Sequence, residues 1–175
     1  AYPRIAGYFE AETGQRLAAG IKILAKVAVN YHELYGFSLQ ITDIDPTYTL
    51  GDMERQRQMT IAQLQKEGVW DMNREAPMPV VVQRVAVVSS ANAAGYQDFR
   101  KELAKSPYRF EVTLFDAFMQ GAAAEESIVT ALCAVAERMD EFDAVVLIRG
   151  GGSASDLNCF NAYRLCAHVA QFPLP

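Results

Sequence analysis

Residues Asp143 to Asn161 read D-A-V-V-L-I-R-G-G-G-S-A-S-D-L-N-C-F-N. Ala144 to Ile148 is a short apolar run, the pattern of a strand buried on both faces. It leads directly into Arg149 and then into Gly150, Gly151 and Gly152. Ser153 and Asp156 have capping-box spacing, which predicts a helix from about Ala154 to Ala170. Three glycines remove every Cβ from the turn, so the backbone can take positive φ and a ligand can come close to the amides. The first amides of the helix and the positive end of its dipole point into that gap, which suits a phosphate. Arg149 adds a planar guanidinium able to grip two phosphate oxygens. An arginine ending a buried strand is either paired with a carboxylate, Asp98 or Asp156, or aimed at a ligand. The plainer reading is a tight strand-to-helix turn.

The residues before this stretch alternate strand and helix. Val80 to Val88 is an almost unbroken valine run, again a strand buried on both faces. A helix follows from about Gly95 to Lys105, then a strand from Phe110 to Phe115. An Ala-rich helix from Glu125 to Met139 places Ile128, Ala131, Leu132, Val135 and Met139 at helical spacing. Phe172 to Pro175 reads as the approach to a further strand. The expected fold class is α/β, a parallel-sheet βαβαβα core with right-handed crossovers and helices on both faces. Ligands in such sheets collect at the carboxyl ends of the strands. Two of those ends carry unusual loops, Ser89 to Asp98 and Arg149 to Asp156. The first offers Ser89, Ser90 and Asn92 as hydrogen-bond donors and leads to Asp98. That carboxylate either complements the dipole of its helix or orients a water or an arginine beside a phosphate.

The first quarter of the chain has a different rhythm. Ile5 to Phe9 fits a short helix or a strand. Ile21, Ile23, Ala25, Val27, Val29 and Tyr31 alternate with residues such as Lys22, Lys26 and Asn30, the mark of a strand with one buried face. Phe37, Leu39 and Ile41 alternate with Ser38, Gln40 and Thr42 after a turn. Two strands alone do not bury a core. Asp43-Ile44-Asp45-Pro46 is a boundary signal, because Pro46 cannot extend a central strand. Thr49 and Asp52 have capping-box spacing, which predicts a helix from about Leu50 to Glu67 stopped by Gly68. The expected organisation is residues 1–45 as a β segment, 46–79 as a linking helix and connection, and 80–175 as the α/β core.

The chain has 175 residues, 51% of them hydrophobic and 21% charged, a globular composition. No apolar run approaches the length of a membrane span. The three cysteines form no C-x-x-C pair, and a reducing cytoplasm is the expected compartment. A net charge of −5 argues against a surface that coats duplex DNA, but leaves room for a small, locally basic site. There is no Walker A loop, no G-x-G-x-x-G fingerprint, no G-x-S-x-G elbow and no metal-ligand spacing. His32 and His168 read as structural or solvated. No cofactor and no metal are expected.

Three sets of residues carry a family resemblance. They are Tyr35 to Leu39 with Asp43 to Gly51, then Val87 to Ser90 with Ala93 to Phe99, then Arg149 to Ser153 with Asp156, Leu157, Phe160 and Asn161. The chain resembles the large subunit of bacterial exonuclease VII from about residue 20 to residue 175. The resemblance implies an OB-like single-strand-binding segment ahead of a catalytic α/β core, so that residues 1–45 are the later part of an OB-fold. Tyr31, Tyr35 and Phe37 then become possible stacking platforms. It implies metal-independent hydrolysis of single-stranded DNA to oligonucleotides, with Asp98 and Arg149 at the positions of the family's catalytic residues. Ser89, Ser90, Gly150, Gly151, Gly152 and Ser153 would then hold phosphate. A Gly-His-Glu-x-Asp segment and a small-subunit-binding helical region of the family are expected outside this chain, which reads as an excised fragment with little activity of its own. The alternatives left open by the residues are a non-catalytic phosphate- or nucleotide-binding α/β domain and an assembly module.

Overall fold

Strand and helix alternate along most of the chain, and a computed structural model describes residues 2–14, 16–18, 21–33, 35–151 and 154–175. Packing divides them into two units, residues 1–58 with 153–158 and residues 59–152 with 159–175.

In the first unit, helix α1 (Tyr2–Thr13) precedes an antiparallel pair, β1 (Leu24–His32) and β2 (Gly36–Asp45). Ile5, Phe9 and Ile44 form a small core. The register slips between Lys26 and Val27, leaving Thr42 as the extra residue of β2. The slip switches the parity of β2, because shifting a strand by one residue exchanges its faces. Ile44 therefore opposes Ala25, while Ile41, Leu39 and Phe37 oppose Val27, Val29 and Tyr31. The second set is left largely exposed, with Phe37 78% and Leu39 67% accessible.

Helix α2 (Pro46–Lys66) starts earlier than the Thr49/Asp52 spacing predicts. Asp45 Oδ1 accepts the Thr47 amide at 2.9 Å, so Asp45 is the cap and Pro46 takes the first helical position. Thr49 instead donates its hydroxyl to the Lys22 carbonyl at 2.9 Å. The end of α2 follows expectation. Gly68 has φ +72°, its amide reaches the Gln65 carbonyl and the Val69 amide reaches the Leu64 carbonyl, a Schellman closure.

The second unit holds a parallel sheet of β3 (Arg84–Ser89), β4 (Glu111–Asp116) and β5 (Ala144–Leu147), in the order β4-β3-β5. Helix α3 (Ala94–Ala104) follows β3, α4 (Ala124–Ala136) follows β4, and α5 (Tyr163–Ala170) follows β5. Val85 and Val87 pack with Tyr96 and Phe99 of α3 on one face. Ala86 and Val88 pack with Ile128, Val129, Leu132 and Val135 of α4 and Leu165 of α5 on the other. The fold is thus α/β with helices on both faces of the sheet.

Two sequence expectations shift here. The strand begins at Arg84, and Val80 and Val81 lie exposed before it. Asp143 sets that start: Oδ2 accepts the Gln83 and Arg84 amides at 2.9 and 2.8 Å, and Oδ1 pairs with the Arg84 guanidinium at 2.6 Å. The helix expected from Ala154 to Ala170 is a 3-10 segment over Ala154–Asn161 followed by α5. The break falls at Ala162, whose backbone is extended. The Asn161 carbonyl accepts the Thr60 hydroxyl at 3.0 Å and the Phe160 carbonyl faces Cys166 Sγ at 3.1 Å, so neither is left to continue an α-helix. The chain then returns to the sheet edge, where the Val145 amide donates to the Pro175 carbonyl at 2.9 Å.

Candidate anion-binding crevice

The strand order places the site. The chain leaves β3 toward α3 on one face and leaves β5 toward α5 on the opposite face. Loops that diverge from adjacent parallel strands leave a crevice at the carboxyl ends. Ser89, fully buried, closes its floor: the Oγ donates to the Ile148 carbonyl at 2.7 Å. Above it the loop into α3 is held at several points. The Ala91 amide donates to Asp116 Oδ1 at 2.9 Å, Gln97 Nε2 donates to the Ala91 carbonyl at 2.7 Å, and the Ala93 amide donates to the Ser90 carbonyl at 2.9 Å.

Helix α3 begins without a side-chain cap, Ala93 standing at the cap position in extended conformation. Its first amides have no intrahelical acceptor and carry the positive end of the dipole. Two glycines decide what stands in front of them. A Cβ at Gly95 would lie 2.7 Å from the Arg149 carbonyl oxygen and 3.1 Å from Ile148 Cγ2. Only glycine lets the helix start approach the end of β5 this closely. A Cβ at Gly150 would lie 3.5 Å from the Ala94 nitrogen and 3.6 Å from the Gly95 nitrogen. It would fit, but it would cover both amides. Gly150 and Gly151 do not take positive φ, so the expected left-handed turn is replaced by a need for open space.

The crevice has a volume of about 300 Å³. Ser90 and Asn92 to Ala94 line it from the first loop, Arg149 to Gly151 from the third, and Phe118 to Gln120 from the loop after β4. Arg149, with Nη2 buried, is the one charged residue among these described lining residues. A chain of net charge −5 thus brings Arg149 and the start of α3 to one pocket. Such a pocket selects an anion with several oxygen acceptors.

The predicted site residues are therefore distributed. Ser90, Arg149, Gly150 and Gly151 line the crevice, and Ser89 lies beneath it, committed to Ile148. Asp98 sits on α3 one turn beyond Ala94, with a side chain 72% accessible that pairs with Lys101 at 3.5 Å. It is not among the described lining residues. Gly152, Ser153 and the side chain of Asp156 lie outside the described residues, and with them the capping box. His32 ends β1 beside the Tyr35 ring, and His168 Nδ1 faces the Arg164 carbonyl on α5. Sequence reasoning missed Phe118, Met119 and Gln120. The signal was available, since Phe118-Met119-Gln120-Gly121 follows the remaining strand of the alternating pattern.

Comparison with known proteins adds to this geometry. A sequence model described as exonuclease VII, large subunit, matches residues 69–175. The exodeoxyribonuclease 7 large subunit of Deinococcus radiodurans is 38% identical over 169 residues, 94% of this chain and 41% of the relative. That of Lactobacillus delbrueckii subsp. bulgaricus is 30% identical over 167 residues, 95% of this chain and 35% of the relative. That of Shewanella loihica is 33% identical over 162 residues, 91% of this chain and 36% of the relative. The chain spans 35–41% of the length of these three curated relatives. With residues 69–175 covered by the family model, and the sheet and crevice inside that range, the chain belongs to the exonuclease VII large-subunit family.

Proposed function

We propose that the full-length protein is an exodeoxyribonuclease that hydrolyses phosphodiester bonds of single-stranded DNA to oligonucleotides, and that the crevice between β3 and β5 holds the scissile phosphate. The observation that carries this reading is the pocket itself: Arg149 is its one charged described lining residue, and Gly150 leaves the first α3 amides open. In phosphodiester hydrolysis a water oxygen attacks phosphorus and the P–O bond to the departing sugar oxygen breaks. Negative charge accumulates on the non-bridging oxygens between those events. Arg149 and the amides of Ala94, Gly95, Gly150 and Gly151 are the groups that would stabilise that charge. Gly152 and Ser153, outside the described residues, are kept as proposed phosphate contacts, and Ser90 would add a hydroxyl. Asp98 would act from outside the described lining, orienting the water or the arginine after its exposed pair with Lys101 opens. The exposed β1–β2 face, with Tyr31, Tyr35 and Phe37, would supply single-strand contacts of an OB-like segment. A small-subunit partner, a cytoplasmic location and metal-independent chemistry belong to the same proposal. Among the described residues, no helix is long and apolar enough to cross a membrane.

The test is Arg149→Ala in the full-length protein, assayed on single-stranded DNA with and without chelator. Turnover should fall by about 100-fold or more, as expected for loss of a transition-state charge partner. Near-normal turnover would remove Arg149 from the site. One observation favours a second reading, a phosphate-binding domain without chemistry of its own: the Asp98 carboxylate stands outside the described pocket lining. That reading puts any turnover of the full-length protein outside the crevice, so it predicts that Asp98→Asn leaves turnover unchanged and that mononucleotides bind as tightly as oligonucleotides.

A further inference from the structure

The crevice is larger than a phosphate needs. At about 300 Å³ it reaches the lower end of the range for whole small-molecule ligands, about 300–1,000 Å³. Its walls also differ. One wall is the Arg149 segment and the start of α3, and the other is Phe118 to Gln120 after β4. Phe118 has 67% of its surface accessible, while Met119 beside it is buried at 6%.

The backbone that carries Phe118 is held from both sides. The Ala117 amide donates to the Ser89 carbonyl at 2.9 Å, and the Phe118 amide donates to Ser127 Oγ at 3.0 Å. Gly121 turns the chain with φ +81°, and the Ala124 amide closes back on the Gly121 carbonyl at 3.2 Å. An aromatic side chain presented on a pinned loop loses little freedom when something covers it. Ser89 joins the two walls, its hydroxyl bonded to Ile148 of the β5 side and its carbonyl to Ala117 of the Phe118 side.

We propose that Phe118 is a stacking platform for the nucleobase attached to the phosphate held by Arg149, which makes it a substrate-positioning residue. The inference rests on the phosphate reading above and extends it to the base. A ligand with a π-face adjoining a phosphate is a nucleotide unit. Stacking on a phenyl ring accepts all four bases, because each has a π-face. It therefore suits an enzyme that must move along any sequence. Gln120, at the same wall, has an amide that both donates and accepts, so it adds hydrogen bonds without selecting one base.

The test uses the full-length protein and single-stranded oligonucleotides carrying one 2-aminopurine, whose fluorescence falls on stacking. Wild type should quench the probe at one position relative to the cut. Phe118→Ala should abolish that quenching and raise KM by roughly 5- to 150-fold, the range of single-base stacking contributions, with kcat nearly unchanged. Phe118→Trp should restore both readouts, and Phe118→Leu should restore neither. An abasic substrate at the stacked position should bind wild type and Phe118→Ala equally. Full rescue by Phe118→Leu would reveal a packing role and overturn the proposal. So would an unchanged KM in Phe118→Ala beside an inactive Arg149→Ala, which would leave the phosphate reading standing. Unchanged turnover in Arg149→Ala would remove the phosphate reading, and this inference with it.

Discussion

Gly95 and Gly150 lie close together where the start of α3 meets the end of β5, and alanine at each should do opposite things. A Cβ at Gly95 meets the Arg149 carbonyl oxygen at 2.7 Å, short of the 3.4 Å at which ordinary contact begins, so about 0.7 Å of movement must be found. The obstacle is backbone and cannot rotate away. Overpacking of this kind costs about 1–3 kcal/mol. Alanine in a helix offsets up to about 1 kcal/mol of it. The net expectation for Gly95→Ala is a loss of about 1–2 kcal/mol, felt where α3 meets the end of β5. At Gly150 the nearest atoms are 3.5 and 3.6 Å away and the backbone is not left-handed, so Gly150→Ala should change stability by less than about 0.5 kcal/mol. It would nonetheless cover the Ala94 and Gly95 amides. Removing one such donor from a transition state costs about 100-fold in turnover. Native-state hydrogen exchange at the Val87 and Val88 amides, combined with cleavage of single-stranded DNA, separates the two effects. Protection should drop about 5- to 30-fold in Gly95→Ala and hold in Gly150→Ala. A Gly95→Ala protein as well protected as wild type would refute the close-approach argument. A Gly150→Ala protein with full turnover would refute the open-amide argument.

Other expectations can be checked in the same way. Ser89→Ala should lose about 1–3 kcal/mol, because it leaves the Ile148 carbonyl facing a methyl group in a fully buried position; equilibrium unfolding measures this, and a neutral result would return Ser89 to the phosphate-binding set. The Arg84 guanidinium, helped by the Arg84 and Gln83 amides, holds the Asp143 carboxyl well below the usual carboxylate range. A depressed folded pKa gives stability that is complete above the unfolded value, about 3.9, and is lost as pH falls below it. Asp143→Asn should therefore be less stable than wild type at neutral pH, with a gap that closes on acidification below about pH 4; a gap independent of pH would exclude this linkage. Asp98→Asn should barely alter stability, since its exposed pair with Lys101 is worth about 0.5 kcal/mol or less. If Asp98 acts in the chemistry, turnover should drop at least about 100-fold in Asp98→Asn and hold in Lys101→Ala.

Much of the second unit was legible from local pattern. Continuous apolar runs and helical spacing identified β3, β4, β5, α3 and α4, because burial on both faces of a parallel strand and on one face of a helix leaves its period in the chain. Gly68 announced the end of α2, since only a left-handed residue closes that helix end in this way. The Arg149-Gly150-Gly151 segment and Ser90 pointed to the crevice for a similarly local reason: glycine and a strand-end arginine are costly choices without a use for the space.

The remainder was decided by contacts between distant residues. Asp45 capped α2 in place of Thr49, whose hydroxyl the Lys22 carbonyl took up. The Thr60 hydroxyl claimed the Asn161 carbonyl and divided the last helix. Ser89 looked like a donor for phosphate until the sheet order brought Ile148 within 2.7 Å of it. The same order, β4-β3-β5, turned three separate loops into one pocket and brought in Phe118. Hydrophobic period specifies which residues are buried, and it carries no information about which strands become neighbours. The choice among carbonyls and hydroxyls for partners is made only once those neighbours are in place. The sequence by itself therefore determined the class of fold and pointed to the arginine–glycine segment that lines the crevice, and the tertiary structure decided which groups share the pocket.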